Sequence, residues 1–337
     1  MKIFVDGMGG DHSPSEIVKG CVLATQEYKV PITLIGIKEE IQKELEKYEY
    51  DKRLIEIIHT TEMIENEDEP AMAIRKKKDS SMVKGMNLVK ENDNAVFISA
   101  GNTGALLAGG LLKIGRIKGI LRPALAPILP TKGGPNLLID AGANAECKPQ
   151  QLQQFALMGS IYMEKVIGIK NPRVGLINIG TEEKKGNETT KETFQLLKET
   201  NVNFIGNVEA RNIPNGVSDI LVCDGFTGNI ILKLTEGLAS FIFHALKETI
   251  LSTPRGKVGG LLLKSSMKNF AKQLDYTEYG GAPFLGIKGG LIKAHGSSDA
   301  KAIKNAIGQG IKYLKKEVNK DIEEEIKKME NKKEGEE

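Results

Sequence analysis

The residues best suited to chemistry sit at short glycine-marked turns that follow apolar, β-favouring runs. In Val217 to Gly237, VSDILVCDGFTGNIILKLTEG, the run Ile220 to Cys223 stops at Asp224-Gly225. It restarts with Ile230, Ile231, Leu234 and Leu238 at spacings near three and four, the pattern of strand, tight turn and helix. Asp224, Thr227, Gly228 and Asn229 then stand at a helix N-terminus, where free N–H groups and the helix dipole favour an anion. An ordinary βα turn with a Thr or Asn cap would carry the same residues. Similar turns recur in SAGNTGA with Asn102 and Thr103, and in NLLIDAGAN with Asp140, Gly142 and Asn144. VGLINIGTEEKKGNETT adds Lys184, Lys185 and Asn187. These could hold an anion or an acyl oxygen, or form a charged surface loop. Near the carboxyl end, AHGSSD supplies His295, Ser297 and Ser298, while the opening DGMGGDHSP supplies Asp6, Gly9, Gly10 and Asp11. Such donors suit a reaction in which a desolvated anion is aimed at a carbonyl and the resulting oxyanion is stabilised.

These turns need strands that run side by side. The expected elements are a strand at Ile3 to Val5, a helix from Pro14, a strand at Ile32 to Gly36, a helix at Lys38 to Lys47 and a strand at Leu54 to Ile58. A strand at Ala95 to Ser99, a helix through Lys113 and another from Pro149 to Gly168 continue the alternation. That β-α-β-α rhythm predicts an α/β protein with a mainly parallel sheet and helices on both faces. Parallel strands send their carboxyl ends to one edge, where ligands bind. Residues 1–320 read as one catalytic domain. The nearly all-charged tail, 321–337, is expected to fray.

Composition narrows the classes further. A chain of 337 residues with 40% apolar content can bury a large core. The 47 basic and 44 acidic side chains leave a net charge of +3, which argues against a dedicated nucleic-acid binder. Charged partners must therefore meet local patches, such as the basic run Arg75, Lys76, Lys77 and Lys78. That run reads either as a solvated helix face or as a docking patch for an acidic partner or a phosphate. Cys21, Cys147 and Cys223 have neither disulfide-framework nor zinc spacing, and Cys223 reads as a packing residue without a partner base. No export signal is visible in the opening residues, which predicts a cytoplasmic protein. The uncharged run Ala95 to Leu112 is only as long as the shortest membrane spans and contains Asn102, Thr103 and four glycines; strand, turn and helix fit it better. KVGGLLLKSSMK lacks the glycine that a Walker loop needs before Lys264, so no nucleotide-phosphate site is inferred there. Its apolar Val258, Leu261, Leu262 and Leu263, between lysines, suit a lipid interface, a dimer contact or a core.

DGMGGDHSP, AIRKKKDSSM, SAGNTGA, IDAGAN, NIGTEEKKGNE, SDILVCDGFTGNIILK and AHGSSD, in this order over nearly the full length, resemble the bacterial phosphate acyltransferase family of phospholipid synthesis. The resemblance implies transfer of a fatty acyl group from acyl-[acyl carrier protein] to inorganic phosphate, without metal or organic cofactor. It also implies a three-layer α/β/α fold related to phosphotransacetylase and the isocitrate and isopropylmalate dehydrogenases. A homodimer with a peripheral membrane habit is implied, supplying the membrane glycerol-3-phosphate acyltransferase downstream. On the residue pattern, Lys185 and Asn229 are the catalytic candidates. The other turn residues named above are substrate-binding candidates: Asp6, Gly9, Gly10, Asp11, Asn102, Thr103, Asn144, Asn187, Asp224, Thr227, Gly228, His295, Ser297 and Ser298. His295 is read as a binding or orienting group, since a pantetheine thiolate leaves without much acid help. A dehydrogenase would need an arginine cluster and a magnesium-binding aspartate set, yet only Arg173, Arg211 and Arg255 follow Arg122. A non-enzymatic membrane scaffold would rest on residues 258–263 alone.

Overall fold

The computed structural model describes residues 1–273 and 279–334. The chain begins β1 (Lys2–Asp6), α1 (Ser15–Tyr28), β2 (Ile32–Gly36), α2 (Lys38–Leu45) and β3 (Ile55–His59). It continues α3 (Pro70–Lys76), α4 (Ser81–Lys90), β4 (Ala95–Ser99) and α5 (Thr103–Gly109), the last prolonged by a π turn to Ile114. Three strands follow, β5 (Ala124–Leu125), β6 (Ile128–Thr131) and β7 (Gly134–Ile139), then α6 (Pro149–Tyr162), β8 (Arg173–Asn178), α7 (Glu188–Glu199), β9 (Asn203–Glu209) and β10 (Ile220–Val222). Two long helices, α8 (Gly225–Leu251) and α9 (Pro254–Gln273), precede β11 (Ala282–Leu285), β12 (Gly290–Lys293), α10 (Ala300–Lys315) and α11 (Val318–Glu334).

The α/β class and the mainly parallel pairing are as expected, but the strands divide between two sheets. One has the order β3-β2-β1-β4-β12-β11-β5, the other β6-β7-β10-β8-β9. In the first, β3, β2, β1, β4 and β12 are parallel and β11 is reversed; in the second only β6 runs against its neighbour. The parallel strands are buried apolar runs, such as Ala95 to Ser99, as sheets covered on both faces require. The uncharged run Ala95 to Leu112 is thus strand, turn and core helix.

As far as Glu334 the charged tail is helix, where fraying was expected. Val318, Ile322 and Ile326 recur every four residues along α11 and are fully buried in the cluster that includes Phe155, Tyr162 and Tyr313. The charges occupy the other faces, so a 3.6-residue apolar stripe outweighs the polar composition. The helical apolar spacing of α8 faces outward: Ile230, Leu234 and Leu238 are 50%, 58% and 49% exposed. Within α8 only Gly225 and Gly228 are buried, and the helix runs out from the core with α9 beside it. Phe243 and Phe270 join the two helices, their ring centroids 5.8 Å apart.

Candidate active site

A cavity of about 700 Å³ opens between the carboxyl edges of the two sheets. From the first sheet come the loop Ala100 to Gly104 after β4, and Lys293, His295 and Gly296 at the end of β12. From the second come Ala141 to Ala143 after β7, and Gly225, Phe226, Asn229, Lys233 and Glu236 on the first turns of α8. Register explains the convergence. Ile98 pairs with Val5 and Ile292, and Val222 pairs with Ile139, so the chain leaves each strand at a common level.

The junction of β10 with α8 is fixed by close backbone packing. Asp224 caps α8 by accepting from Thr227 N at 2.7 Å, while Gly225 N donates to Asn144 O at 2.7 Å. A Cβ on Gly228 would lie 1.8 Å from Asp140 O, so only glycine fits there. One turn on, Asn229 projects into the cavity, and its side-chain amide has no hydrogen-bond partner among the described residues. It is free to meet a ligand.

The structure changes the expectation that the helix start itself binds an anion. Gly225 N and Thr227 N are consumed as described, and Gly228 N donates to Asp224 O. The turn after β7 is likewise filled: Asp140, fully buried, accepts from Gly142 N, Ala143 N and Asn144 N at 3.2, 3.0 and 2.7 Å. Both turns already hold a carboxylate of the chain. Burial nonetheless raises the Asp140 carboxyl above the usual range, with these donors opposing.

Among the predicted residues, Asn102, Thr103, Asn229 and His295 line the cavity. Asn102 also caps α5, accepting from Ala105 N at 2.9 Å, and ties down the preceding loop through Asn66 O at 2.9 Å. Thr227 and Gly228 form the first turn of α8 without lining the cavity. Other candidates prove to be supports for the site. Asp6 is buried and accepts from Ser99 Oγ at 2.7 Å and Met8 N at 3.1 Å; burial raises its carboxyl. Gly9 approaches Gly101 N so closely that a Cβ would fall 2.7 Å from it, while Gly10 adopts φ 103° against Ala100 and Gly296. Asp11 N donates to Gly296 O. These contacts clamp the first loop onto those after β4 and β12. Asn144 donates to Pro123 O and Asp140, and Asn187 caps α7 through Thr190 N. Ser297 Oγ lies 2.8 Å from His295 Nδ1 and orients the ring, and Ser298 is buried with its N–H on His295 O. Burial, the largest influence, lowers the basicity of His295, which favours the neutral imidazole.

Lys185 stands apart. It lies in the exposed loop after β8, on the same edge of the second sheet, and does not line the cavity. Asn178 braces that loop by donating to Lys185 O at 3.1 Å. The sequence reading missed Lys293, Lys233 and Glu236. A lysine at the end of the buried run Gly-Leu-Ile was the available signal for Lys293. Cys223 is buried with Sγ 3.6 Å from Asp140 O, and burial pushes its thiol far up; it packs, as expected.

In the basic run, Arg75, Lys76 and Lys78 are exposed. Lys77 departs from the expectation of a docking role, since its ammonium is held by Asp68 at 2.5 Å and Met63 O at 3.0 Å. The run ends α3, which packs on α5, and Pro70 touches Gly104 at the cavity. Val258, Leu261, Leu262 and Leu263 are 63%, 73%, 79% and 50% exposed on α9, so they do not form a core of this chain.

Fold and cavity together define an α/β protein of phosphotransacetylase architecture. A phosphotransacetylase from Streptococcus pyogenes superposes with a TM-score of 0.61 over 92% of this chain and 94% of its own, at 15% identity. The EutD phosphotransacetylase from Staphylococcus aureus gives 0.60 over 93% and 94%, also at 15% identity. A 4-hydroxythreonine-4-phosphate dehydrogenase from Klebsiella pneumoniae, at 12% identity, shares the fold with a TM-score of 0.52 over 93% and 99%. The fatty acid synthesis protein family matches residues 1–321. Phosphate acyltransferases from Alkaliphilus oremlandii and Clostridium tetani are 61% and 58% identical over 97% of this chain, and over 97% and 98% of their own lengths. The chain belongs to the phosphate acyltransferase family, a family of acyltransferases.

Proposed function

We propose that the protein moves a fatty acyl group from acyl-[acyl carrier protein] to inorganic phosphate, giving the acyl phosphate used in phospholipid synthesis. The observation that carries this reading is the cavity between the sheet edges, which the amide of Asn229, unpartnered among the described residues, lines together with Lys233, Lys293 and His295. Phosphate attacks the thioester carbonyl directly, the tetrahedral oxyanion is met by Asn229, and the pantetheine thiolate leaves. Cys223, buried and with its thiol pushed up, supports a route without an acyl-enzyme. Lys185 joins the site when the exposed loop after β8 folds over the bound donor. The sheets and helices of residues 1–320 act as one catalytic domain.

Arg75, Lys76 and Lys78 receive the acidic carrier protein, at the end of the helix whose first residue, Pro70, touches Gly104 at the cavity. The exposed apolar surface of α8 and α9 is covered in a homodimer and rests on the inner face of the cell membrane. Exposed apolar area of this extent is unusual for an isolated chain. By length and composition α8 would also span a bilayer, but it begins inside the catalytic cavity, which favours the peripheral placement. The acyl phosphate then passes to the membrane glycerol-3-phosphate acyltransferase.

The test is turnover of purified protein with palmitoyl-[acyl carrier protein] and phosphate, following the free carrier thiol and phosphorus NMR of the product. Thiol release that does not depend on phosphate would replace this reading by hydrolysis.

A further inference from the structure

The geometry points to Lys293 as the residue that binds the phosphate dianion, with Lys233 as the second cation of the subsite. The inference rests on the phosphate-acyltransfer reading and gives one of its two substrates a place. Lys293 closes β12 opposite Ser99, and its ammonium donates to the carbonyls of Ala100, at 3.1 Å, and Ala294. Among the described residues no carboxylate forms an ion pair with it, although it is half-buried at the cavity wall. A buried cation left without a counter-ion is costly unless a ligand supplies the negative charge.

The rest of the cavity sharpens the assignment. The turns after β7 and β10 already hold the carboxylates of Asp140 and Asp224, so a second anion there meets like charge. Lys233, one turn beyond Asn229 on α8, is paired with Glu236 at 2.8 Å, and both line the cavity. A dianion at Lys293 draws Lys233 from the carboxylate and places its attacking oxygen beside Asn229. Burial, reinforced by Lys233, pulls the Lys293 ammonium down to about 8, against the weaker pull of Asp11 and Asp6. The cation is therefore present at neutral pH and disappears as the solution becomes alkaline.

Lys293→Met tests this, with two readouts on folded protein checked by circular dichroism. The phosphate KM should rise about 10- to 100-fold, the range of one charge-assisted hydrogen bond. The KM for the acyl carrier substrate should stay within about twofold. Isothermal titration with inorganic phosphate, in the absence of acyl donor, should show the same loss. An unchanged phosphate KM in an active variant, or equal loss for both substrates, overturns the assignment and leaves the function standing. Should the wild-type protein show no acyl phosphate formation, the proposed function fails, and the titration still decides the subsite. If Lys293→Met does not fold, the wild-type pH profile decides. Phosphate affinity should fall above about pH 8, and Lys293→Arg should abolish that fall. The charged groups acting on the ammonium are Lys233, Asp11 and Asp6, while Glu236 and His295 line the same cavity. A flat wild-type profile from neutral to alkaline pH overturns the assignment.

Discussion

Asn229 and Lys185 carry the same chemistry on paper, a hydrogen-bond donor at a glycine-flanked turn, yet the fold treats them differently. Asn229 is held by a helix whose first turn is locked against Asp140, because Gly228 lets the backbones touch. Its donor is thus positioned before substrate arrives, the condition under which one donor contributes about 2.7–4 kcal/mol to the transition state. Asn229→Ala should lower kcat by about 10²–10³ with little change in melting temperature. Lys185 acts only if its loop closes, so Lys185→Ala should lower kcat and raise the carrier-substrate KM together. Near-normal turnover by both folded variants would remove these two residues from the mechanism. Gly228 and Asp140 show why single motifs mislead: most of the turn residues serve to aim the others.

At the scale of elements, α3 and the pair α8 and α9 present surfaces whose partners are proposed. The exposed cations at the end of α3 should steer an acidic carrier through a field screened over about 8–10 Å at physiological salt. Reversing the charge of Arg75 and Lys76 should raise the carrier KM and flatten its salt dependence, while Lys77, tied to Asp68, should matter through local stability instead. An unaltered carrier KM in the double reversal would end this docking model. On α9, burial of one leucine contributes roughly 1.5–3 kcal/mol. Leu261→Glu with Leu262→Glu should therefore release the protein from anionic vesicles and leave turnover on soluble carrier substrate intact. Continued pelleting with liposomes would exclude lipid contact by this face. Conversion to monomers would assign it to the dimer.

For the molecule as a whole, α11 binds the end of the chain to the second sheet. Ile322 and Ile326 are completely buried beside Val318, so each change to alanine should cost about 2–5 kcal/mol in denaturant unfolding. A loss below about 0.5 kcal/mol would mean that the helix is dispensable. The sequence contained this stripe, but three isoleucine and valine side chains among seventeen mostly charged residues are outweighed when composition alone is read. The same reading judged Ile230, Leu234 and Leu238 by spacing, and spacing cannot distinguish a helix facing its own core from one facing outward.

By itself the sequence determined the α/β alternation, the turns at strand ends and the family, because periodicity, glycine and short motifs are local properties. It also named Asn102, Thr103, Asn229 and His295, which line the cavity, since each follows a strand whose end must lie at the sheet edge. Only the tertiary structure decided that two sheets face each other across one cavity. It also decided that Asp140 and Asp224 fill the turns meant for an anion, and that Lys293 is left as a cation without a carboxylate partner among the described residues. Charge compensation depends on which groups long-range pairing brings within a few ångströms, and that distance is absent from residue order.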